Sequence, residues 1–296
     1  MRKCGFRTTT ALKQAIRPIA KRRLVAALAS PGTARYGARM DLKTIPIDDR
    51  GFLLGDGLFE TVLFKAGEPV LWAAHLERLG RGCAALGLPM PDAKRLSAEA
   101  HKAVTERRLG SARAAVRLTW TAGSGGRGLT RPEPPTPRLI VSAAASPRPE
   151  SPVAVVVSTV RRNARSPSAR LKTLAYVDNV LARREAEAAG ADEALLLNTA
   201  GHMACATAAN LFWITEGRLY TPSLSCGVLD GIMRAQVLAA APVEEVRANL
   251  DTVLKAEAAF LTNSLIGIRT IKVMAGRFLR PHPMINTLTQ SLAGVL

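Results

Sequence analysis

A proline-rich run at residues 146–152 limits the possible folds of this chain more than any other segment. Its three prolines in seven residues fix the backbone dihedral φ and remove N–H donors, so the run cannot continue a helix or a central strand. Strand-like and helical segments lie on both sides of it. The sequence therefore predicts a small N-terminal α+β domain over residues 40–145, a linker at 146–152 and a larger C-terminal domain over residues 153–296.

Hydrophobic periodicity predicts both strands and helices on each side of the linker. A hairpin is expected where residues 65–68, Lys-Ala-Gly-Glu, separate two apolar runs. The predicted strands cover residues 58–64, 69–72, 112–121, 138–143, 153–160, 193–197, 210–215, 218–221, 258–262 and 268–273. The predicted helices cover residues 75–88, 93–108, 177–189 and 230–241. This order of elements indicates a mixed α+β and α/β fold.

The net charge of +18 comes largely from one end of the chain. Residues 1–39 hold ten Lys or Arg and no Asp or Glu, which leaves +8 for the other 257 residues. An even spread of positive charge would indicate nucleic acid or an acidic membrane as the partner, but a local excess does not. We expect residues 1–39 to be a disordered tail or the product of a misassigned start, with a targeting segment as the minority alternative.

The four cysteines, Cys4, Cys83, Cys205 and Cys226, are widely spaced and form no Cys-x-x-Cys pair. This spacing disfavours a zinc site and a disulfide framework, and it suits a reducing compartment. No apolar run approaches the ~20 residues that are needed to span a bilayer. We therefore expect a soluble, cytoplasmic protein without a metal site.

Lys172 is the most informative single residue for function. It ends a strand-like run and precedes an amphipathic helical pattern that begins near Tyr176. A lysine at a strand end that faces a cleft is where an enzyme would form an imine with a carbonyl group. The sequence predicts that Lys172 is catalytic, while Thr61 and Tyr176 either line the same cleft or belong to the core.

Five further motifs accompany Lys172 along the chain. They are RGFLLGDGLFET at residues 50–61, HLERL at 75–79, ANLFWI at 209–214, LDGIMR at 229–234 and FLTNSL at 260–265. Together with Lys172 they resemble the class IV pyridoxal-phosphate aminotransferases and lyases over roughly residues 42–280. The resemblance implies pyridoxal 5′-phosphate as cofactor. It also implies the two-domain fold type IV of the D-amino-acid aminotransferases, with a β-barrel-like core in the larger domain.

The resemblance also assigns cofactor-binding roles. Lys172 would carry the cofactor and act as a general base, and Arg78 would bind the cofactor phosphate. A helix that starts near residue 232 would add free N–H groups and the positive end of its dipole. The further phosphate donors would be the backbone of Ile232 and Met233 and the side chains of Asn263 and Ser264.

Substrate-binding roles follow from the loop at residues 123–128, Gly-Ser-Gly-Gly-Arg-Gly. It resembles the segment that reaches, in this family, from one subunit into the active site of its neighbour. It would bring Arg127 to a substrate carboxylate, because a guanidinium pairs with a carboxylate in a two-pronged geometry. A homodimer with its active sites at the interface is implied. Arg117 and Arg50 are weaker candidates for the same contact, and Thr61 is a further substrate-binding candidate.

Cys205 departs from the family pattern. It stands where the family has an acidic residue that keeps the pyridine nitrogen of the cofactor protonated, and a neutral thiol cannot do this. The cofactor should therefore withdraw electrons less strongly. Cys205 stays among the expected cofactor-binding residues, with three interpretations: an elimination enzyme that tolerates the weaker withdrawal, an enzyme with a compensating acid nearby, or a protein with impaired chemistry.

The motifs resemble most the aminodeoxychorismate lyases of the family. The implied reaction cleaves 4-amino-4-deoxychorismate to 4-aminobenzoate and pyruvate in folate biosynthesis. An elimination that ends in an aromatic ring needs less electron withdrawal, which suits Cys205. The alternative within the family is an aminotransferase that acts on D-amino or branched-chain amino acids. A nucleic-acid-binding protein with a degenerate site is a remote third hypothesis, which the 4% content of aromatic residues disfavours.

Overall fold

The computed structural model of the chain describes residues 44–149 and 151–295. The tail predicted at residues 1–39 lies outside these ranges. The helices are α1 Arg50–Leu54, α2 Trp72–Leu86, α3 Ala93–Glu106, α4 Val177–Ala188, α5 Ile232–Ala240, α6 Leu250–Leu254 and α7 Pro283–Ser291. The strands are β1 Gly57–Lys65, β2 Glu68–Pro69, β3 Ala114–Thr121, β4 Arg138–Ala145, β5 Val153–Arg162, β6 Glu193–Asn198, β7 Met203–Ala206, β8 Asn210–Thr215, β9 Arg218–Pro222, β10 Val243–Val246, β11 Ala258–Asn263, β12 Gly267–Met274 and β13 Arg277–Phe278. Within these ranges, no helix combines the length and the apolar character that crossing a bilayer requires.

The first sheet is antiparallel, with the strand order β2-β1-β3-β4. Helices α2 and α3 cover one of its faces. Because side chains alternate between the faces of a strand, the residues of β1 divide into two sets. Leu58 and Val62 pack beneath the two helices, whereas Phe59 and Thr61 lie on the opposite face. On β3, Arg117 stands directly opposite Thr61 and so shares that second face.

The second sheet is mixed and has nine strands, in the order β10-β9-β8-β11-β12-β5-β6-β7 with β13 beside β12. The pairs β9 with β10, β5 with β12 and β5 with β6 are parallel. Strand β7, at one end of this order, also lies against β8 and β9. The sheet therefore curls into a half-barrel.

A shared apolar cluster joins the two sheets. Leu63 of β1 belongs to the same cluster as Phe212 of β8 and Phe260 of β11, whose rings stack 5.0 Å apart. All three side chains are fully buried. The second face of the first sheet is thereby fixed against the half-barrel.

The four predicted helices and most of the predicted strands are present. Trp72 starts α2 instead of ending a strand, and short elements such as β7, β10 and α7 have no counterpart in the sequence prediction. Residues 146–149 and 151–152 form neither helix nor strand. The division of the chain into two domains at this run stays a prediction.

The prediction that Lys172 ends a strand is wrong. Strand β5 ends at Arg162, and a 3-10 turn over Pro167–Arg170 follows. Lys172 lies in a short extended segment beside β1, where its carbonyl accepts a hydrogen bond from the Phe59 N–H at 2.9 Å. Thr173 forms an isolated bridge with Leu58. Strand β1, distant in the sequence, is what holds this segment extended.

Candidate active site

A cavity of about 320 Å³ lies where β1 and β3 meet the half-barrel, a volume typical of a small-molecule site. It is lined by the second face of β1 and β3, the segment at Lys172, the turn from β7 to β8, the start of α5 and the end of β11. Of the site residues predicted from the sequence, those that line it are Thr61, Arg78, Arg117, Lys172, Tyr176, Cys205, Ile232, Asn263 and Ser264. Met233 and Arg127 do not line it.

The Lys172 side chain enters this cavity beside two aromatic rings. Its Nζ lies 4.2 Å from the centroid of the Phe59 ring and 5.6 Å from that of Tyr176. Burial lowers the pKa of Lys172 to about 8, and the positive charge of Arg78 acts in the same direction. A lysine with this pKa is neutral in a useful fraction near neutral pH, as a nucleophile or base must be.

Arg78 is held from behind by a buried carboxylate. Its Nε donates to Glu60 Oε1 at 2.8 Å and its Nη2 to Glu60 Oε2 at 2.6 Å, while Nη1 donates to the carbonyl of Asp230 at 3.1 Å. A guanidinium has five N–H groups, so two remain for a ligand. The arrangement leaves a fork that suits two oxygens of a phosphate.

Glu60 also accepts a 2.8 Å hydrogen bond from Nδ1 of the buried His75. Burial alone would raise the pKa of Glu60, but the bonds from Arg78 and His75 outweigh burial and lower it to about 2. Burial lowers the pKa of His75, which is therefore neutral with its proton on Nδ1. Glu60 is thus an anion that fixes the orientation of Arg78.

The start of α5 adds backbone donors next to Arg78. No side chain caps this helix, whose N-cap is Gly231, so its first N–H groups lack partners within the helix. A Cβ on Gly231 would meet Asn210 Oδ1 at 2.0 Å, so any larger residue here would have to displace the Asn210 side chain or the start of α5. The Met233 side chain is buried in the core, which leaves its backbone as the part that could serve a ligand.

Asn263 and Ser264, at the end of β11, differ in how free their side chains are to bind a ligand. The Asn263 amide donates to the carbonyl of Ala208, and its Oδ1 accepts from the N–H groups of Leu265 and Ile266. Asn263 therefore braces the turn that it occupies. The Ser264 hydroxyl has no partner among the residues described here and is the freer donor of the two.

Arg117 is the cation best placed for a second anion. Its guanidinium carbon lies 3.7 Å from the centroid of the Phe59 ring, and its Nε donates to Thr119 Oγ1 at 3.2 Å. Its two terminal nitrogens have no partner within the described ranges. Burial lowers the pKa of Arg117, the sign of a partly desolvated charge that a carboxylate would stabilise.

Arg50 and Arg127 have different surroundings. Arg50 is buried, and its terminal nitrogens donate to loop carbonyls at Leu129 and Thr130 at 2.9 and 3.0 Å. Its Nε donates to Asp56 at 2.9 Å, so Arg50 organises the glycine-rich loop and is not free for a ligand. Arg127 is exposed on that loop and does not line the cavity of its own chain.

Arg162 and Glu60 were missed by the sequence analysis. Arg162 lines the cavity with Cys205, and its Nη2 donates to the carbonyl of Ala169 at 2.6 Å. Glu60 could have been found, because a carboxylate inside the apolar run at residues 58–64 requires a buried partner. No sequence signal separates Arg162 from the other arginines nearby.

The charged side chains that line the cavity all carry the same sign. Four of the described lining side chains are cationic, namely Arg78, Arg117, Arg162 and Lys172, and none is Asp or Glu. Burial raises the pKa of the Cys205 thiol, which is therefore neutral. The site is built for a ligand, or a pair of ligands, that carries several negative charges.

Comparison with known proteins identifies the family. The model of the amino-transferase class IV family matches residues 57–274. Aminodeoxychorismate lyase of Vibrio harveyi is 28% identical over 262 residues, which are 85% of this chain and 95% of that protein. Aminodeoxychorismate lyase of Bacillus subtilis (strain 168) is 32% identical over 245 residues, 79% of this chain and 82% of that protein.

A solved structure extends the likeness to the fold. The crystal structure of 4-amino-4-deoxychorismate lyase from Pseudomonas aeruginosa has a TM-score of 0.77 and 31% identity, covering 85% of this chain and 95% of that one. The predicted fold class, type IV with a curled sheet in its core, is confirmed. By sequence and by fold alike, the chain belongs to the class IV aminotransferase family.

Proposed function

We propose that this chain is a pyridoxal-phosphate-dependent lyase that cleaves 4-amino-4-deoxychorismate to 4-aminobenzoate and pyruvate, a step of folate biosynthesis. The observation that carries the proposal is the cavity in which the described lining places three arginines, Arg78, Arg117 and Arg162, and no carboxylate around Lys172. The substrate carries two carboxylates and the cofactor a phosphate. D-amino and branched-chain amino acids, the substrates of the alternative aminotransferase, bring one carboxylate and would leave more of this charge unpaired.

The cavity fits the cofactor. The two free N–H groups of Arg78 and the uncapped start of α5 at Ile232 suit a phosphate dianion, with Ser264 as an additional donor. Lys172 Nζ is the amine to which the cofactor aldehyde would attach. When bound, pyridoxal phosphate supplies that aldehyde and a ring that withdraws electrons.

Lys172 and Arg117 would act on the substrate. Lys172 Nζ, with its pKa lowered to about 8, can take the proton from the amine-bearing ring carbon of the substrate. The bond between the neighbouring ring carbon and the ether oxygen then breaks, and the enolpyruvyl group leaves with the bonding electrons and takes up a proton to become pyruvate. The ring that remains is aromatic, which makes the step favourable. Arg117 is placed to orient one substrate carboxylate, and Thr61, its partner on β1, offers a hydroxyl to the same part of the cavity.

The active unit in this proposal is a cytoplasmic homodimer. Arg127 and Leu129, which is 85% exposed, project from a loop that Arg50 holds rigidly, so they are presented to another molecule. In the dimer Arg127 would reach the second substrate carboxylate in the neighbouring site. Light scattering on the purified protein should give twice the mass of the chain, whereas a monomer would remove the support for Arg127 in this role.

One experiment tests the activity and the cofactor together. Purified protein with pyridoxal phosphate is reduced with borohydride, and the modified peptide is located by mass spectrometry. We expect the adduct on Lys172. Pyruvate release from 4-amino-4-deoxychorismate is then measured beside amino transfer from D-alanine and leucine. Amino transfer without pyruvate release would replace the lyase with the aminotransferase, and absence of the adduct would refute both.

A further inference from the structure

We propose that this protein binds its cofactor with the ring nitrogen unprotonated, because no acidic side chain of residues 44–149 and 151–295 lines the cavity to hold a proton there. The proposal rests on the proposed pyridoxal-phosphate function. It goes beyond the replacement of one acid by Cys205, since it depends on the charge of the entire cavity and on where the neighbouring carboxylates point.

The lining of the cavity disfavours a pyridinium wherever the ring lies. Once Lys172 is joined to the cofactor and Arg78 faces its phosphate, the other charged side chains of the described lining, Arg117 and Arg162, are both cations. A positive charge close to a basic nitrogen favours the neutral form of that nitrogen, and a nearby anion would be needed to reverse this effect. The bound phosphate is an anion, but Arg78 and the start of α5 are placed to neutralise it.

Glu193 is the carboxylate whose negative charge acts on the Cys205 thiol, and its side chain does not line the cavity. Its Oε1 accepts from the N–H groups of Ala194 at 2.9 Å and Thr207 at 3.2 Å, and also from the Thr207 hydroxyl. Its Oε2 lies 3.8 Å from a guanidinium nitrogen of Arg183. Glu193 therefore braces the turn behind the cavity wall and cannot serve as the compensating acid.

The other two nearby carboxylates also have partners outside the cavity lining or behind it. Both oxygens of Glu60 accept hydrogen bonds from Arg78, and one also accepts from His75. Asp230 contacts the cavity region only through its backbone carbonyl, and its half-exposed carboxylate lies 3.7 Å from Arg81 and 3.9 Å from Arg234. Within the described part of the chain, no carboxylate near the cavity is left to pair with a ring nitrogen.

Arg162 and Cys205 provide hydrogen-bond donors, which an unprotonated ring nitrogen of the cofactor can accept from. The carbonyls of Gly227 and Ala169 hold Arg162 through Nε and Nη2, and Nη1 has no partner among the described residues. The buried Cys205 keeps its S–H proton. Both groups can donate to a lone pair, and neither can accept a proton from a pyridinium at neutral pH.

The test is a nitrogen chemical shift and not a rate. The protein is loaded with pyridoxal phosphate labelled with ¹⁵N in the ring, and its spectrum is recorded between pH 6 and 9. We expect the shift of a neutral pyridine, unchanged over this range. In the Cys205→Glu variant, which adds an acid to the same wall, we expect the shift to move toward that of a pyridinium.

A matched variant separates charge from side-chain size. Cys205→Ser exchanges the thiol for another neutral donor and should keep the neutral-pyridine shift. If Cys205→Glu does not fold, the wild-type and Cys205→Ser spectra still show whether the ring nitrogen is protonated. A pyridinium shift in wild-type protein that forms the borohydride adduct on Lys172 overturns this proposal alone. Absence of the adduct overturns the proposed function and this proposal with it.

Discussion

Replacing Glu60 with glutamine should destabilise the protein by about 3 kcal/mol at neutral pH. The glutamine keeps the shape of the side chain but removes a charge that is buried against Arg78 and hydrogen-bonded to it twice. The folded protein lowers the pKa of Glu60 from 4.5 to about 2. At about 1.4 kcal/mol for each pKa unit, this difference corresponds to about 3 kcal/mol. Breaking a buried pair by removing one partner typically costs 3–5 kcal/mol, so the two figures agree.

The pH dependence of the same variant follows from the direction of the pKa change. A carboxyl whose pKa is lowered by folding stabilises the protein fully above its unfolded pKa and loses this contribution as the pH falls through its folded pKa. For Glu60 the window runs from about 4.5 down to about 2. The glutamine does not titrate there, so the stability gap between wild type and Glu60→Gln should narrow as the pH falls below 4.5.

Urea unfolding at pH 7, 5 and 3.5 measures this gap. Glu77→Gln on α2, the helix that carries Arg78, is the matched control, because Glu77 pairs with Arg81 at the surface, where the side chains are 73% and 52% exposed. Exposed pairs of this kind contribute about 0–1 kcal/mol. If Glu60→Gln costs no more than Glu77→Gln at pH 7, or if its gap stays constant with pH, the assignment of Glu60 as the buried anion behind Arg78 is wrong.

Four further predictions concern the cavity. Arg117→Met should raise the KM for 4-amino-4-deoxychorismate roughly 10- to 100-fold, because a hydrogen bond to a charged group contributes about 1.5–3 kcal/mol. The rate of covalent uptake of pyridoxal phosphate by apo-protein should rise with pH, reach half of its limiting value near pH 8 and level off above it, as Lys172 loses its proton; stopped-flow absorbance measures this. Gly231→Ala should weaken the binding of pyridoxal phosphate more than that of pyridoxal in equilibrium titrations, because its Cβ would collide with Asn210 and displace the start of α5. Cys205→Glu should raise amino transfer relative to pyruvate release in parallel assays, and an unchanged ratio would contradict it.

The sequence predicted which residues line the cavity better than it predicted how the fold positions them. Short motifs were enough to bring Arg78, Lys172 and Ile232 to one place, because all three belong to the motifs that carry the family resemblance. The reason given for Lys172 was wrong, since β1 and not a strand of its own holds it extended. Pairing between segments so far apart in the chain leaves no local pattern.

The positions of the cavity arginines also depend on contacts between segments that are distant in the sequence. The resemblance of its loop assigns Arg127 to the site of the neighbouring subunit, which stays a prediction, whereas Arg117 lines the cavity of its own chain. The difference depends on which face of β3 Arg117 occupies and on the sheet that packs there. Arg162 escaped notice for a similar reason, because its position comes from carbonyls at Ala169 and Gly227 on two separate turns.

The backbone contact between β1 and the segment at Lys172 has a consequence for the order of folding. The Phe59 N–H and the Gly57 carbonyl of an early strand dock the lysine segment on both sides, through the carbonyl of Lys172 and the N–H of Leu174. During synthesis, β1 emerges long before the lysine, and the start of α5 emerges later still. Tight cofactor uptake therefore requires a nearly finished chain, and cofactor binding reports completed folding instead of guiding its first steps.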